Sequence, residues 1–194
     1  MATMNFSIPP ALELLLNRRS VRGLVAPGPD DAELALILQA VTRVPDFQHL
    51  RPYRFLFARD EGLTRLGEAM QRAAVRMGKT GDVVERAPRM PHRAPLVVVA
   101  IFSPKPSRVV SVFEQQLCAA CATLTLQLAA NSLGYGSVWR TGWHASEPTF
   151  HEELRLTTNE TIVGFLYLGT TPKGCDAGQS VTIENSPLPE IAWI

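Results

Sequence analysis

Residues Leu96–Phe102 form the sequence Leu-Val-Val-Val-Ala-Ile-Phe, an unbroken apolar run of the length of one strand. A strand without polar positions must be covered on both faces, so this run predicts the central strand of a sheet with helices on either side. Upstream of it, the aromatic residues Tyr53, Phe55 and Phe57 recur at every second position, which predicts another strand.

The segment downstream of this apolar run predicts one long helix, from Val112 to Leu133. Ser111 and Glu114 have the spacing of a capping box at its start, and Gly134 is a suitable stop at its end. The segment is apolar on nearly every face, so we expect it to be buried all round, in part against a second subunit. It also carries too many polar residues to be a membrane span.

The remaining chain supplies more helices and two more strands. The predicted helices span Ala11–Leu16, Leu63–Met77 and Ser146–Arg155, and another begins at the cap formed by Asp30 with Glu33 and ends near Arg43, before Pro45. The further strands span Gly136–Gly142 and Thr161–Leu168. Segment Thr80–Pro95 is charged and interrupted by prolines, which predicts a surface loop of the kind that often covers a site. The alternation of helices and strands would by itself predict a parallel α/β sheet.

Composition limits the possible classes of protein. The chain has 194 residues, of which 46% are hydrophobic, so we expect one domain over residues 1–194 with a substantial core. The formal net charge is +1, which excludes a general attraction to nucleic acids or to anionic membranes. Three cysteines do not form a disulfide framework, and the first residues lack a signal-peptide pattern, so a cytoplasmic protein is expected.

A basic turn follows the first predicted helix: Arg18-Arg19-Ser20-Val21-Arg22. Guanidinium groups hold phosphate through paired charge-assisted hydrogen bonds, and a serine hydroxyl adds a donor. The turn therefore indicates an anion site. Taken alone it is also compatible with a solvated basic loop, so its meaning depends on the rest of the chain.

Four further motifs follow this turn in order. They are Arg43-Val44-Pro45-Asp46, Arg51-Pro52-Tyr53-Arg54-Phe55, Gly136 to Gly142 and Ile162 to Thr170. Their order and spacing resemble the nitroreductase family of flavoproteins, in particular its short, single-domain bacterial NAD(P)H nitroreductases, over roughly Ala11 to Lys173. The resemblance implies an α+β fold with a mixed, mainly antiparallel sheet flanked by helices. It also implies an intertwined homodimer, FMN at the subunit interface, and NADH or NADPH as the reductant.

The same resemblance implies which residues contact FMN. They are Arg18, Arg19, Ser20, Arg22, Arg43, Phe47, Trp139, Arg140, Thr141, Gly142 and Lys173. Arg18 and Ser20 would lie near the phosphate and ribityl chain, and Arg22 nearer the pyrimidine ring. Residues 139–142 would face the reactive edge of the flavin, and Arg43 and Phe47 would reach it from the partner subunit. No side chain is expected to be catalytic, because the flavin carries the chemistry.

Several of these residues have simpler explanations that the sequence leaves open. Trp139 could be a core residue and Arg140 a surface charge, and Arg43 would favour the C-terminal end of its helix through the macrodipole. Phe47 stands where close relatives tend to carry histidine, which leaves substrate specificity undetermined.

Other candidate sites are weaker. Cys118 and Cys121 have the spacing of a redox pair but lie within an apolar helix, so buried thiols acting as small apolar groups are expected. The four histidines are scattered, and no metal site is expected.

The sequence thus favours an FMN-dependent oxidoreductase that passes hydride from a nicotinamide to a nitroaromatic, a quinone or a similar small acceptor. Two alternatives remain. One is a specialised flavin reductase, dehydrogenase or dehalogenase of the same family, and the other is a non-catalytic flavin-binding dimer.

Overall fold

The structure, a computed structural model of the chain, describes residues 8–174 and 189–193. Within these residues the helices are α1 (Pro10–Asn17), α2 (Asp31–Val41), α3 (Glu61–Arg76), α4 (Asp82–Arg86), α5 (Val112–Ser132) and α6 (Pro148–Glu153). The strands are β1 (Tyr53–Arg59), β2 (Leu96–Phe102), β3 (Gly136–Arg140) and β4 (Thr161–Gly169). A single domain over residues 1–194 stays a prediction, because part of that range lies outside the described residues.

The four described strands form one sheet in the order β1-β2-β4-β3, and every neighbouring pair is antiparallel. This confirms the α+β arrangement implied by the family resemblance, and the parallel sheet suggested by alternation is wrong. The connection from β1 to β2 shows the reason. Arg59 at the end of β1 lies opposite Leu96 at the start of β2, because residues 60–95 leave and return at the same end of the sheet.

Strand β2 separates two layers of core. Val97, Val99 and Ile101 pack in the layer that contains α3, whereas Leu96 and Val98 pack in the layer that contains α2 and α5. All seven residues of β2 are buried, which confirms the prediction of a central strand covered on both faces.

Segment Thr80–Pro95 lies at the surface, as its charge and prolines predict, but it is not an irregular loop. It forms α4 and two 3₁₀ turns, Ala87–Arg89 and Pro91–Arg93, and its small residues Ala87 and Ala94 are buried. A side chain at Gly67 on α3 would collide with the backbone of Pro88, so that glycine permits the close packing of this segment. The small buried residues Ala87 and Ala94, placed between charged ones, pack this segment onto the core next to α3.

Helix α5 begins with the predicted capping box, in which the Ser111 hydroxyl accepts a hydrogen bond from the Glu114 amide and the Glu114 carboxylate accepts from the Ser111 amide. In the single chain α5 is not buried all round, and the burial expected against a second subunit stays a prediction. One face is buried against the sheet, whereas an opposite apolar face remains exposed. That exposed face of α5 consists of Val112, Phe113, Leu117, Cys121 and Leu124. In the part of the chain that the structure describes, no helix is long and apolar enough to cross a membrane.

Candidate functional site

The basic turn Arg18–Arg22 is fixed along the edge of the sheet formed by β3. The Val21 amide donates a hydrogen bond of 2.9 Å to the Ser137 carbonyl on β3. Four residues further on, Val25 and Thr170 exchange two backbone hydrogen bonds of 3.0 and 2.8 Å. The turn therefore lies between β3 and the chain that follows β4, which places the first, fourth and fifth sequence motifs at one edge of the molecule.

A cleft of about 1010 Å³ opens beside the basic turn, between α1, the end of α5 and the start of β3. Its polar lining includes Arg18, Arg19, Asn131 and Thr171, and Glu13 is the acidic residue among its lining. Two guanidinium groups with hydroxyl and amide donors can hold a phosphate monoester. Ser20 is exposed and does not line the cleft.

A second cavity of about 390 Å³ brings together three arginines from distant parts of the chain. This arginine cavity is lined by Arg22, Gly23, Arg93, Val138, Arg140 and Tyr167. The Arg140 guanidinium lies 5.8 Å from the centre of the buried Tyr167 ring. Burial raises the pKa of Tyr167, although the charges of Arg93 and Arg140 oppose that rise. The cavity can hold a planar or carboxylate-like anion.

Arg140 is half-buried in this cavity, so it is not the surface charge considered as an alternative. Its Nε is buried and has no hydrogen-bond partner among the described residues. Arg93 is the member of the cavity that sequence reasoning missed. Its signal was hidden, since it lies in a segment interpreted as a surface loop.

The turn after β3 presents exposed backbone at Thr141 and Gly142. Gly142 has a φ of +74°, and a side chain there would collide with the ring of His144 directly beneath it. Glycine is therefore required both for the backbone conformation and for the contact. Trp139 is half-buried and packs against Gly164, where a side chain would collide with its indole nitrogen. This position agrees with the simpler explanation of Trp139 as a packing residue.

His144 supports this turn from the core. It is 2% exposed, and its ring lies edge-on to Phe165 with 4.5 Å between the ring centres. Burial lowers the pKa of His144 to about 4, and Nδ1 has no hydrogen-bond partner among the described residues. The imidazole is therefore neutral near pH 7 and acts as part of the packing.

A buried polar network holds β3 against α5. Gln127 Nε2 and Asn131 Nδ2 each donate a hydrogen bond of 2.9 Å to the Ser137 hydroxyl. Asn131 Nδ2 also donates to the Tyr135 carbonyl at 2.7 Å. Because the Ser137 carbonyl binds the Val21 amide, this network determines where the basic turn lies.

Arg43, Phe47 and Lys173, which the resemblance also implies, line neither the cleft nor the arginine cavity in the single chain, and the same is true of Ser20. Arg43 lines a depression of about 440 Å³ between α2 and the end of α5. Phe47 is 70% exposed and lines another depression, of about 270 Å³, with Leu117 and Cys121 of the exposed face of α5. Lys173 is exposed, two residues beyond Thr171 of the cleft.

The cysteines and histidines that the structure describes define no second site. Cys118 is buried, and burial raises the pKa of its thiol to about 11, so it is a poor nucleophile. Cys121 is exposed, in contrast to the expectation for both thiols, and Cys175 lies outside the described residues. Among the described residues, no three histidine, cysteine, aspartate or glutamate side chains are grouped so as to hold a metal ion.

With this fold and this arrangement of arginines, the chain belongs to the nitroreductase family. The family model described as "Nitroreductase family" matches residues 15–170. That range includes the basic turn, the four described strands and all the residues that line the arginine cavity.

Two bacterial relatives are similar over most of their length. The protein "Putative NAD(P)H nitroreductase YdjA" of Escherichia coli (strain K12) is 36% identical over 160 residues, which are 82% of this chain and 87% of the relative. A "Putative NAD(P)H nitroreductase" of Haemophilus influenzae is 34% identical over 162 residues, covering 82% of this chain and 88% of the relative.

Solved structures share the fold at lower identity. A nitroreductase-like protein from Bacillus cereus has a TM-score of 0.72 at 22% identity, covering 97% of this chain and 94% of the other. A nitroreductase with bound FMN from Bacteroides fragilis has a TM-score of 0.70 at 24% identity, covering 94% of this chain and 100% of the other.

Proposed function

We propose that this protein is an FMN-dependent NAD(P)H oxidoreductase that passes hydride from the nicotinamide, through the flavin, to a nitroaromatic, a quinone or a similar small acceptor. The observation that carries the proposal is the meeting of Arg22 and Arg140 in one cavity beside the fixed basic turn, with Arg140 Nε buried and without a partner. A buried donor without an acceptor costs about 1–3 kcal/mol, and an oxygen or nitrogen of a bound flavin would satisfy it. The names of the two relatives and the FMN in the Bacteroides fragilis structure support the same cofactors.

The described residues fit FMN in distinct ways. Arg18 and Arg19 in the cleft would hold the phosphate, with Ser20 and Lys173 as further donors. Arg22 would face the pyrimidine ring. When bound, FMN accepts a hydride and gives two electrons to an acceptor, so the protein needs no acid–base pair of its own.

The turn at Thr141 and Gly142 would lie against the reactive edge of the flavin. Gly142 has no side chain, and the backbone of this turn is exposed, so a planar ring can approach its amides. The buried His144 ring packs directly against Gly142 on the core side of this turn.

The proposal includes a homodimer. Arg43 and Phe47 lie outside both cavities of their own chain, and Phe47 shares its depression with the exposed face of α5. Pairing of two such faces would bury apolar surface and bring both residues to the partner's flavin. A cytoplasmic location, where NAD(P)H is available, belongs to the same proposal.

Binding of FMN to the purified protein tests the proposed function. We expect non-covalent FMN, bleached anaerobically by NADH or NADPH and reoxidised by a nitroaromatic or a quinone. Arg18→Ala should weaken FMN binding by about 1.5–3 kcal/mol, because it removes a charge-assisted hydrogen bond. Arg108→Ala is the matched control, since Arg108 is exposed and lines neither cavity.

Two results would contradict the proposal. One is a protein that binds no FMN on titration. The other is FMN affinity that is equally affected in Arg18→Ala and in Arg108→Ala.

A further inference from the structure

Arg93 is the residue of the arginine cavity for which the proposed function gives no role. It ends the 3₁₀ turn Pro91–Arg93, three residues before β2, and the adjacent Ala94 is buried. The backbone that carries Arg93 is thus anchored to the core. Its side chain is exposed to solvent and lines the same cavity as Arg22 and Arg140.

The positive charges of the three guanidinium groups in the cavity are not balanced by carboxylates of the described residues. Among the described residues, Arg54, Arg59, Arg65, Arg72 and Arg76 each lie within 4.0 Å of a carboxylate. Arg22, Arg93 and Arg140 make no such ion pair with a described acidic residue, and the cavity lining contains no acid. Like charges held together repel, so the electrostatic energy of the cavity falls when an anion enters it.

In the cavity the Arg140 guanidinium is supported by an aromatic ring. Tyr167 is 1% exposed and lies beneath the Arg140 guanidinium. Val138 on β3 adds an apolar wall, and Gly23 leaves the side next to Arg22 open. A group that fits here is planar, and it carries hydrogen-bond acceptors and negative charge along one edge.

We propose that Arg93 is a third flavin-binding guanidinium, which with Arg22 and Arg140 holds the pyrimidine edge of FMN and stabilises the negative charge that this edge gains on reduction. This inference rests on the proposed function. NAD(P)H supplies one hydride, hence two electrons and one proton, and leaves as NAD(P)⁺, so the bound ring system gains one negative charge. Arg93 attracts the charged form more strongly than the neutral one, and it therefore raises the reduction potential of the cofactor.

The test compares variants of the FMN-loaded protein by their flavin reduction potential and by their affinity for oxidised FMN. In Arg93→Gln, the binding of reduced relative to oxidised FMN should weaken about tenfold, which for a two-electron couple lowers the potential by about 30 mV. Arg93→Lys keeps the charge and should recover part of the potential. Arg89→Gln is the matched control, because Arg89 is an exposed arginine of the same segment that does not line the arginine cavity.

An unchanged potential in Arg93→Gln would overturn the role of Arg93. So would an equal fall in Arg89→Gln, because the effect would then come from net charge alone. The proposed function fails separately, if the wild-type protein neither binds FMN nor lets a nicotinamide reduce it.

Discussion

His144 lies enclosed beneath the Gly142 turn, where burial lowers the pKa of its imidazole from 6.5 to about 4. In the unfolded chain the group binds a proton near its ordinary pKa, so between these values the unfolded state holds more protons than the folded one. The stabilisation from a neutral His144 is therefore complete above pH 6.5 and is lost as the pH falls toward 4. The shift corresponds to a loss of the order of 3 kcal/mol across that window.

We expect the free energy of unfolding of the wild-type protein to fall between pH 6.5 and 4, and the variant His144→Leu to lose most of that dependence. The measurement is urea denaturation at a series of pH values.

Glu160→Gln provides the contrast, because the Arg54 guanidinium binds the Glu160 carboxylate at 2.6 and 2.7 Å and holds its pKa at about 2. Because the folded protein holds this carboxyl pKa low, the ionised Glu160 stabilises the fold fully above pH 4.5, and this stabilisation is lost as the pH falls from 4.5 toward 2. Glu160→Gln should therefore change the pH dependence of unfolding only below pH 4.5. Equal slopes for wild type and His144→Leu above pH 4.5 would contradict this assignment.

At the scale of residues, the sequence predicted what depends on near neighbours. The capping residues Asp30 and Ser111 are confirmed, because a cap is decided within four positions of the chain. Arg93 and His144 could not be identified in the same way. The burial of His144 and the meeting of Arg93 with Arg22 are produced by contacts between elements far apart in sequence.

At the scale of elements, Ser137 connects α5, β3 and the basic turn. Its hydroxyl accepts hydrogen bonds from Gln127 and Asn131, and its carbonyl accepts one from Val21. Ser137 is fully buried and Gln127 is 2% exposed. Removal of the hydroxyl would therefore leave a buried amide donor without its acceptor, far from water.

We expect Ser137→Ala to lower the free energy of unfolding by about 1–3 kcal/mol, because the Gln127 amide loses its partner. The double variant with Gln127→Leu should cost less than the sum of the single variants, since it removes the donor as well. Ser132→Ala is the control, because that exposed hydroxyl bonds only the Ala129 carbonyl of its own helix. Denaturant titrations of the four proteins provide the comparison. Additive costs in the double variant would show that the two side chains do not depend on one another.

Predictions of elements were most accurate where burial was uniform or caps were strong. The bounds of β2 and α5 follow from an unbroken apolar run and from a capping box with a terminal glycine. The helical turns of segment Thr80–Pro95 are not predicted by its sequence, because its buried residues Ala87 and Ala94 are small and lie between charged ones. Their packing depends on Gly67 of α3, which no local pattern connects to them.

At the scale of the whole molecule, the direction of the strands could not be obtained from alternation alone. A helix between two strands is compatible with parallel or antiparallel pairing, and the length and path of residues 60–95 decide between them. The family resemblance supplied the correct topology. It also supplied a dimer, which a single chain does not test.

The exposed apolar surface indicates where a second copy would bind. Phe113 is 66%, Leu117 50% and Leu124 41% exposed on one face of α5, and helix α1 has no buried residue although Leu12, Leu15 and Leu16 lie within it. At the described end of the chain, Trp193 is 92% exposed. Exposed apolar side chains on one face of a helix, such as those of α5, are typical of an interface between subunits.

We predict that the protein is a stable homodimer at micromolar concentration and that Leu117→Glu dissociates it. A carboxylate in the centre of an apolar interface must be desolvated without a partner, which should raise the dimer dissociation constant at least about 100-fold, or roughly 3 kcal/mol. Because Arg43 and Phe47 would then no longer reach the partner's flavin, FMN affinity should fall together with dimerisation. Val75→Glu introduces the same charge at a residue on α3 that is 57% exposed and lies outside this face, and it should leave both properties unchanged. Sedimentation velocity with parallel FMN titration measures both quantities. A wild-type monomer that binds FMN normally would contradict the prediction, as would a Leu117→Glu variant that remains dimeric.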